Sequence, residues 1–307
     1  MEQVMFDKIV PNAAPLIALV CAGCAHANAS APLAPEQNRA AWAATCTDWD
    51  EWDKPAPPYQ IHGNVYYVGT CGIAAILIVG DAGIVLIDSG TEAGSQVVET
   101  NVAALGHSVA EVKALLTSHE HYDHVGGLAR LQQLSGAPVY TSADAAPVLR
   151  SGKDNPRDPQ AGLHDPMAPV AGEIRTVRDS EEITLAGVTI TAVATPGHTL
   201  GAMSWQWQSC DSAECVTIVF GDSLTAVSSD EYRFTDHPEY VSMFRRGIAR
   251  LAALDCDLLL TPHPSASNMP ARLKGEAPWI DPGACQAYAA SVTARLDARL
   301  AKEAAAK

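Results

Sequence analysis

The stretch TSHEHYDHVGG, residues 117–127, places His119, His121, Asp123 and His124 within six positions. Such groups are costly to bury and good at holding metal. They follow the apolar run VKALLTS (112–118), which reads as a buried strand, and precede Leu128, Leu131 and Leu134, which recur at helical spacing. In an extended segment residues i and i+2 project to the same side, so His119 and His121 can grip one cation. Asp123 and His124, at the opening of the helix, face a point a few ångströms away, and one ion cannot easily use all four. With histidine at 10 of 307 positions, a chance H-x-H-x-D-H is on the order of one in a thousand, and a preceding strand is the context that confirms such a motif.

Upstream, NVYYVG (64–69), AAILIV (74–79) and IVLIDSG (84–90) read as strands, GDAG (80–83) as a turn, and Val97, Val98, Val102 and Leu105 as the apolar face of a helix. Downstream, VTITAVATPGH (188–198) is a strand ending at His198, MSWQW and CVTIVFGDS are two more, and a helix is expected from about Pro238 to Leu254. DLLLTPH (257–263) is a strand ending at His263. The metal-ligand types therefore sit at the carboxyl ends of apolar strands, where open α/β sheets place their sites. His198 and His263 would complete two three-ligand sets and leave an open position on each ion, as catalytic zinc requires. Imidazole and carboxylate donors without thiolate suit Zn²⁺, and the ligand types alone are also compatible with Fe or Mn. His62, His107, His164 and His237 are isolated and read as ordinary core or surface groups. Residues 150–173, rich in Pro, Gly and Asp and without period, read as a long loop near the site.

Lys plus Arg total 20 against 35 Asp plus Glu, a formal charge of −15, and no window forms a basic patch. That excludes nucleic acid as the expected partner. With 48% hydrophobic residues the chain can bury a sizeable core. NAAPLIALVCAGCAHANA, too short to span a bilayer comfortably and ending in an A-x-A site at Ala27 and Ala29, reads as a signal peptide over residues 1–29. The mature domain is then 30–307, periplasmic; lipidation at Cys24 is the competing fate of this segment. Cys46, Cys71, Cys210, Cys215, Cys256 and Cys285 remain after the signal, an even number that an oxidising compartment would let pair. Proximity favours Cys210 with Cys215 across DSAE; the other pairings stay open at this point.

The sequence resembles the metallo-β-lactamase fold superfamily through HEHYDH (119–124), TPGHTLGA (195–202), FGDSL (220–224) and TPHP (261–264), over about residues 45–300. Within it the chain is most similar to class B, subclass 3 of the metallo-β-lactamases, whose opening strands NVYYVGTCGIAAILIVGDAGIVLIDSG (64–90) resembles. The resemblance implies an α/β, four-layer αβ/βα sandwich of two mixed sheets with helices on the outer faces. It implies two zinc ions, one held by His119, His121 and His198 and the other by Asp123, His124 and His263, with His121 and Asp123 central to the chemistry. The implied reaction is attack of a metal-bound hydroxide on the β-lactam amide of penicillins, cephalosporins and carbapenems, conferring antibiotic resistance. Ser223 and Thr225 would hydrogen-bond the antibiotic carboxylate, with Thr in place of the commoner Ser. Asp88 would support the ligands from behind. Cys256–Cys285 matches a disulfide of that group, and Cys46–Cys71 and Cys210–Cys215 match additional pairs. A monomer acting on a small molecule is expected.

Asp222 opens an alternative. In glyoxalase-type thiolester hydrolases and lactone hydrolases of the same fold, an aspartate in this element bridges the two metals, although here a supporting position behind the ligands is expected. A non-catalytic exported zinc-binding protein is the reading from another class. Glu120, between two ligands, should point away from them, and Tyr232 reads as packing.

Overall fold

The computed structural model describes Met1 and residues 35–306; the expected signal segment, with Cys21 and Cys24, lies outside the described residues. The chain divides into two units, residues 1–33 and 34–307, and every element below belongs to the second. In order these are α1 (Pro35–Thr45), β1 (Tyr59–His62), β2 (Val65–Tyr67), β3 (Ile76–Gly80), β4 (Gly83–Ile87), α2 (Gly94–Ala104), β5 (Val112–Leu116), α3 (Tyr122–Val125), α4 (Leu128–Ser135), β6 (Val139–Thr141) and α5 (Ala146–Ser151). There follow β7 (Ile174–Thr176), β8 (Glu182–Leu185), β9 (Val188–Ala194), β10 (Met203–Cys210), β11 (Cys215–Phe220), α6 (Pro238–Ala252), β12 (Leu258–Leu260), α7 (Met269–Leu273) and α8 (Ala284–Ala305).

Strands β1 to β7 form one sheet in sequence order, antiparallel up to β4 and parallel from β4 to β7. The second sheet runs β12-β11-β10-β9-β8, antiparallel except for the β11–β12 pair. The apolar runs are continuous because both faces of each sheet are covered. Ile76, Ile78, Val85, Ile87, Ala114 and Leu116 point inward against Ile190, Trp205, Ile218, Phe220, Leu258 and Leu260 of the facing sheet. The alternate residues Leu77, Ile84, Leu86 and Leu115 pack outward against Val98, Val102, Leu128 and Leu131 of α2 and α4. On the far side Val219 and Leu259 meet Phe244, Ile248 and Leu251 of α6 and Val292 and Leu296 of α8. Period-two alternation thus sorts the chain into helix, sheet, sheet, helix, the four-layer sandwich that the resemblance implies.

Three disulfides fasten peripheral segments to this frame: Cys46–Cys71, Cys210–Cys215 and Cys256–Cys285. The first ties the chain after α1 to the β2–β3 loop, the second closes the β10–β11 hairpin, and the third joins the approach to β12 to α8. Two local expectations need correcting. Leu134 is 44% exposed, because α4 turns only Leu128 and Leu131 to the sheet. The helix expected to reach Leu254 ends at Ala252.

Candidate metal centre

Strand direction assembles the site. β9 and β11 each run antiparallel to β10 between them, and β12 is parallel to β11, so these three carboxyl ends share one edge. They deliver His198, the Asp222–Ser223 segment and His263, while β5 in the other sheet delivers His119. The sheets are stitched together there by hydrogen bonds from Met203 N to Ser118 O (2.7 Å) and from Trp205 Nε1 to Thr117 O (3.0 Å). His121 is the extended residue that opens α3, so Asp123 and His124 leave on its first turn. Asp88, at φ +60°, accepts from Ser118 N (2.7 Å) and Ser118 Oγ (2.6 Å) and braces the segment from behind.

Three of the five histidines have one ring nitrogen pinned by a supporting group. His119 Nδ1 lies 2.8 Å from Asp222 Oδ1, His121 Nε2 3.0 Å from Asp158 Oδ2, and His198 Nδ1 2.9 Å from the Thr225 carbonyl. Their remaining nitrogens converge: His121 Nδ1 and His198 Nε2 are 3.2 Å apart, and the donors of His119, His121 and His198 lie within 4.8 Å of one another. A second cluster joins His119, Asp123 and His124. His263 completes it from the other side, with Nε2 3.3 Å from Asp123 Oδ2, while His124 Nε2 is 3.0 Å from the same oxygen. His119 therefore stands between both clusters, its ring 4.2 Å from that of His124. Anchoring a histidine through one nitrogen so that the other presents a lone pair is how proteins orient metal ligands.

The donor set fits two zinc ions. His119 and His124 are fully buried, yet His119 Nε2 and His124 Nδ1 have no hydrogen-bond partner among the described residues, and His124 Nε2 faces the Asp123 carboxylate. Buried polar atoms are almost always paired, so nitrogens aimed at a common gap call for a cation. Burial holds His119, His124 and His198 below the usual imidazole range, His198 at about 3, keeping them in the neutral form that ligates. Burial would raise Asp123, but His124 and His263 beside it outweigh that and hold it well below the usual range as a carboxylate. The clusters thus form a binuclear site of the kind typical of this fold.

A cavity of about 410 Å³ opens over these groups, walled by His121, Asp123, His198, His263, Ser223 and Thr225. Ser223 Oγ is buried there without a hydrogen-bond partner among the described residues. Thr225 lines the cavity as well, with its Oγ1 3.1 Å from His198 Nδ1. Asp222 is fully buried, its Oδ1 lies 2.8 Å from His119 Nδ1, and burial raises its carboxyl to about 6. Tyr232 stacks on His237 at 4.5 Å and does not line this cavity. Glu120 points away from the gap, as its place between two ligands dictates.

Several neighbours carried no signal in the sequence. Asp158 and Gln160 arrive on the 150–173 loop, with Gln160 Nε2 3.4 Å from His198 Nε2. His164, expected as an ordinary core or surface group, lies on the cavity wall with its ring 5.9 Å from Trp52. Trp49 and Trp52, 59% and 40% exposed, form the mouth, and Arg295 of α8 stands on the rim without an ion-pair partner among the described residues. Only the unusual length and composition of the loop hinted at any of these.

Residues 68–263 match the model of the Metallo-beta-lactamase superfamily. Among solved structures the chain is similar to the MIM-2 metallo-beta-lactamase, 55% identical over 87% of this chain and 98% of that one, TM-score 0.81. MIM-1 from Novosphingobium pentaromativorans is 45% identical over 86% and 98%, TM-score 0.83. MEM-A1, a subclass B3 metallo-beta-lactamase from a soil metagenome library, is 39% identical over 84% and 100%, TM-score 0.80. Curated relatives include a hydroxyacylglutathione hydrolase of Pseudomonas putida (strain W619), 32% identical over 140 residues, 46% of this chain. The match spans 42% of that relative's length.

Proposed function

The chain belongs to the metallo-beta-lactamase superfamily and is a metal-dependent hydrolase with a binuclear site, and on that premise we propose that it opens the β-lactam ring of penicillins, cephalosporins and carbapenems. The observation that carries this reading is the 55% identity to a metallo-beta-lactamase across nearly the whole of that enzyme, together with a cavity whose two ends suit such a substrate. At one end the unpaired Ser223 hydroxyl donates to the substrate carboxylate, and Arg295 adds positive charge at the rim. At the other, Trp49 and Trp52 offer apolar area to the acyl substituent. Among the described residues Ser223 Oγ has no hydrogen-bond partner that could act as its base, which supports water as the nucleophile and a reaction without an acyl-enzyme. When bound, zinc supplies a water acidified to near-neutral pKa and polarises the amide carbonyl. His119, His121 and His198 would hold one ion and Asp123, His124 and His263 the other, with Asp222, Asp158 and Thr225 fixing ring orientation.

A second reading, hydrolysis of a glutathione thiolester, is favoured by the curated relatives' name and by the aspartate at position 222. The engagement of Asp222 with His119 supports the first reading over the second. Zinc-loaded protein assayed on nitrocefin, benzylpenicillin, a carbapenem and S-lactoylglutathione separates them. Turnover of the three lactams, abolished by EDTA, restored by Zn²⁺ and insensitive to clavulanate, is expected. Turnover of the thiolester alone would transfer the proposal to the second reading, and inactivity on all four would leave a lactone hydrolase or a zinc-binding protein. We propose also that residues 1–29 direct export to the periplasm and are removed; N-terminal sequencing of protein from a periplasmic fraction should begin at Ser30.

A further inference from the structure

Glu120 lies between two of the proposed ligands, yet its side chain takes no part in the metal gap. It is 3% exposed and crosses from the β5 end of the first sheet to the loop that follows β9 in the second. There Oε2 accepts from Thr199 Oγ1 at 2.7 Å and Oε1 accepts from Gly201 N at 3.1 Å. Thr199 is the next residue after His198. The same loop closes on itself through Gly197 N to Thr199 O (2.9 Å) and Thr195 N to Ala202 O (3.0 Å). A Cβ at residue 201 would lie 2.6 Å from Glu120 Oε2, so glycine there is what lets the carboxylate come close. One buried side chain therefore spans the two sheets at the height of the three-histidine cluster, attached by both oxygens to the segment that carries the third histidine.

We propose that Glu120 is a positioning residue that fixes the separation of His198 from the His119–His121 pair and so sets the zinc affinity of the three-histidine site. The geometry gives it leverage on that site above the other. Asp123 and His124 hang from α3, on the chain that leaves His121, and His263 comes from β12, none of them attached to the Thr199–Gly201 loop. Without Glu120 the Gly201 amide and the Thr199 hydroxyl lose their buried acceptor, and the loop is free to drift away from β5. The inference rests on the metal assignment and is independent of which bond the enzyme cleaves.

The test is zinc titration of the metal-free protein against a chromophoric chelator, for wild type, Glu120→Ala, Glu120→Gln and Thr199→Ala, with the absorption spectrum of the Co²⁺-substituted forms. Glu120→Ala should bind one of two zinc ions about 10- to 100-fold more weakly and alter the Co²⁺ spectrum, with the other site close to wild type. Glu120→Gln should recover most of the loss, because its amide oxygen can accept from Gly201 N–H while its NH₂ faces the Thr199 hydroxyl. Thr199→Ala, which cuts the same link from the other end, should show a smaller loss at the same site and serves where Glu120→Ala does not fold. A purely structural role would lower the unfolding temperature of the metal-free variants and leave both zinc affinities within about threefold of wild type; that result overturns the proposal. So does equal damage from Gln and Ala in folded protein. Zinc binding is read without substrate, so failure on β-lactams would leave this result standing.

Discussion

Replacing Asp222 by Asn changes one charge and almost no volume at a position that is fully buried and 2.8 Å from His119 Nδ1. A hydrogen bond to an ionised acceptor contributes about 1.5–3 kcal/mol and a neutral one about 0.5–1.5 kcal/mol, so the substitution removes roughly 1–1.5 kcal/mol of support for the ligand. That corresponds to about five- to tenfold weaker zinc binding at the site His119 serves. Asp222→Ala goes further, leaving Nδ1–H unpaired in the interior, and should weaken it about 10- to 100-fold. Burial raises the Asp222 carboxyl to about 6, so above that pH it is the carboxylate that Asn lacks, while below it the neutral acid resembles Asn. The gap between wild type and Asp222→Asn should therefore be open at about pH 7.5 and narrow near pH 5.5. Competition with a chelator of known affinity at both pH values measures it. Loss of both ions together in Asp222→Ala would mean that the carboxylate bridges the metals, and equal affinities in all three proteins would mean that it does not support His119 at all.

Burial also raises Glu120 from 4.5 to about 7. Its contribution to the stability of the metal-free fold is thus complete below pH 4.5 and lost as pH rises through about 7, so the stability difference between wild type and Glu120→Gln in chemical denaturation should decline by up to about 3 kcal/mol over that range. A flat difference would refute the shift. In protein lacking residues 1–29, thiol titration after denaturation without reductant should find no free thiol, and reduction should lower stability by a few kcal/mol in total; peptide mapping that finds other pairings would contradict the structure. Arg295→Ala should raise KM for anionic lactams about two- to fivefold at low salt with kcat little changed, because an exposed ion pair contributes only about 0.2–1 kcal/mol; an unchanged KM would remove Arg295 from the substrate site.

The reach of the sequence follows physical range. Long apolar runs buried on both faces, such as VKALLTS and CVTIVFGDS, announce their strands, and a polar terminus after each announces the site edge. The three- and four-residue strands β1, β6, β7 and β8 offer too few alternations to register a period. Helix α8 is faint in the sequence for another reason: Tyr288, Val292 and Leu296 mark its inner face, but alanine on every side dilutes the contrast. The ligand types were legible because histidine and aspartate at i, i+2 and i+4, i+5 have few other uses. Asp158, which orients His121, lies in an aperiodic loop that only tertiary closure carries to the site. The engagement of the Thr225 hydroxyl with His198 likewise depends on Leu224 at φ +42°, a backbone turn that no side-chain pattern foretells.

The stitching of one sheet to the other at Ser118 and Met203 also bears on the rate at which the molecule comes apart. His119 to His124 belong to the first sheet's half of the chain, His198 and His263 to the second's, so neither half alone assembles all six donors. The set exists only once the two halves have docked, after the costly loop closures are complete. Interactions absent from the transition state change the unfolding rate and not the folding rate. Zinc then acts as a clasp applied last: refolding should proceed equally fast with and without it, while unfolding of the loaded protein waits for the ions to leave.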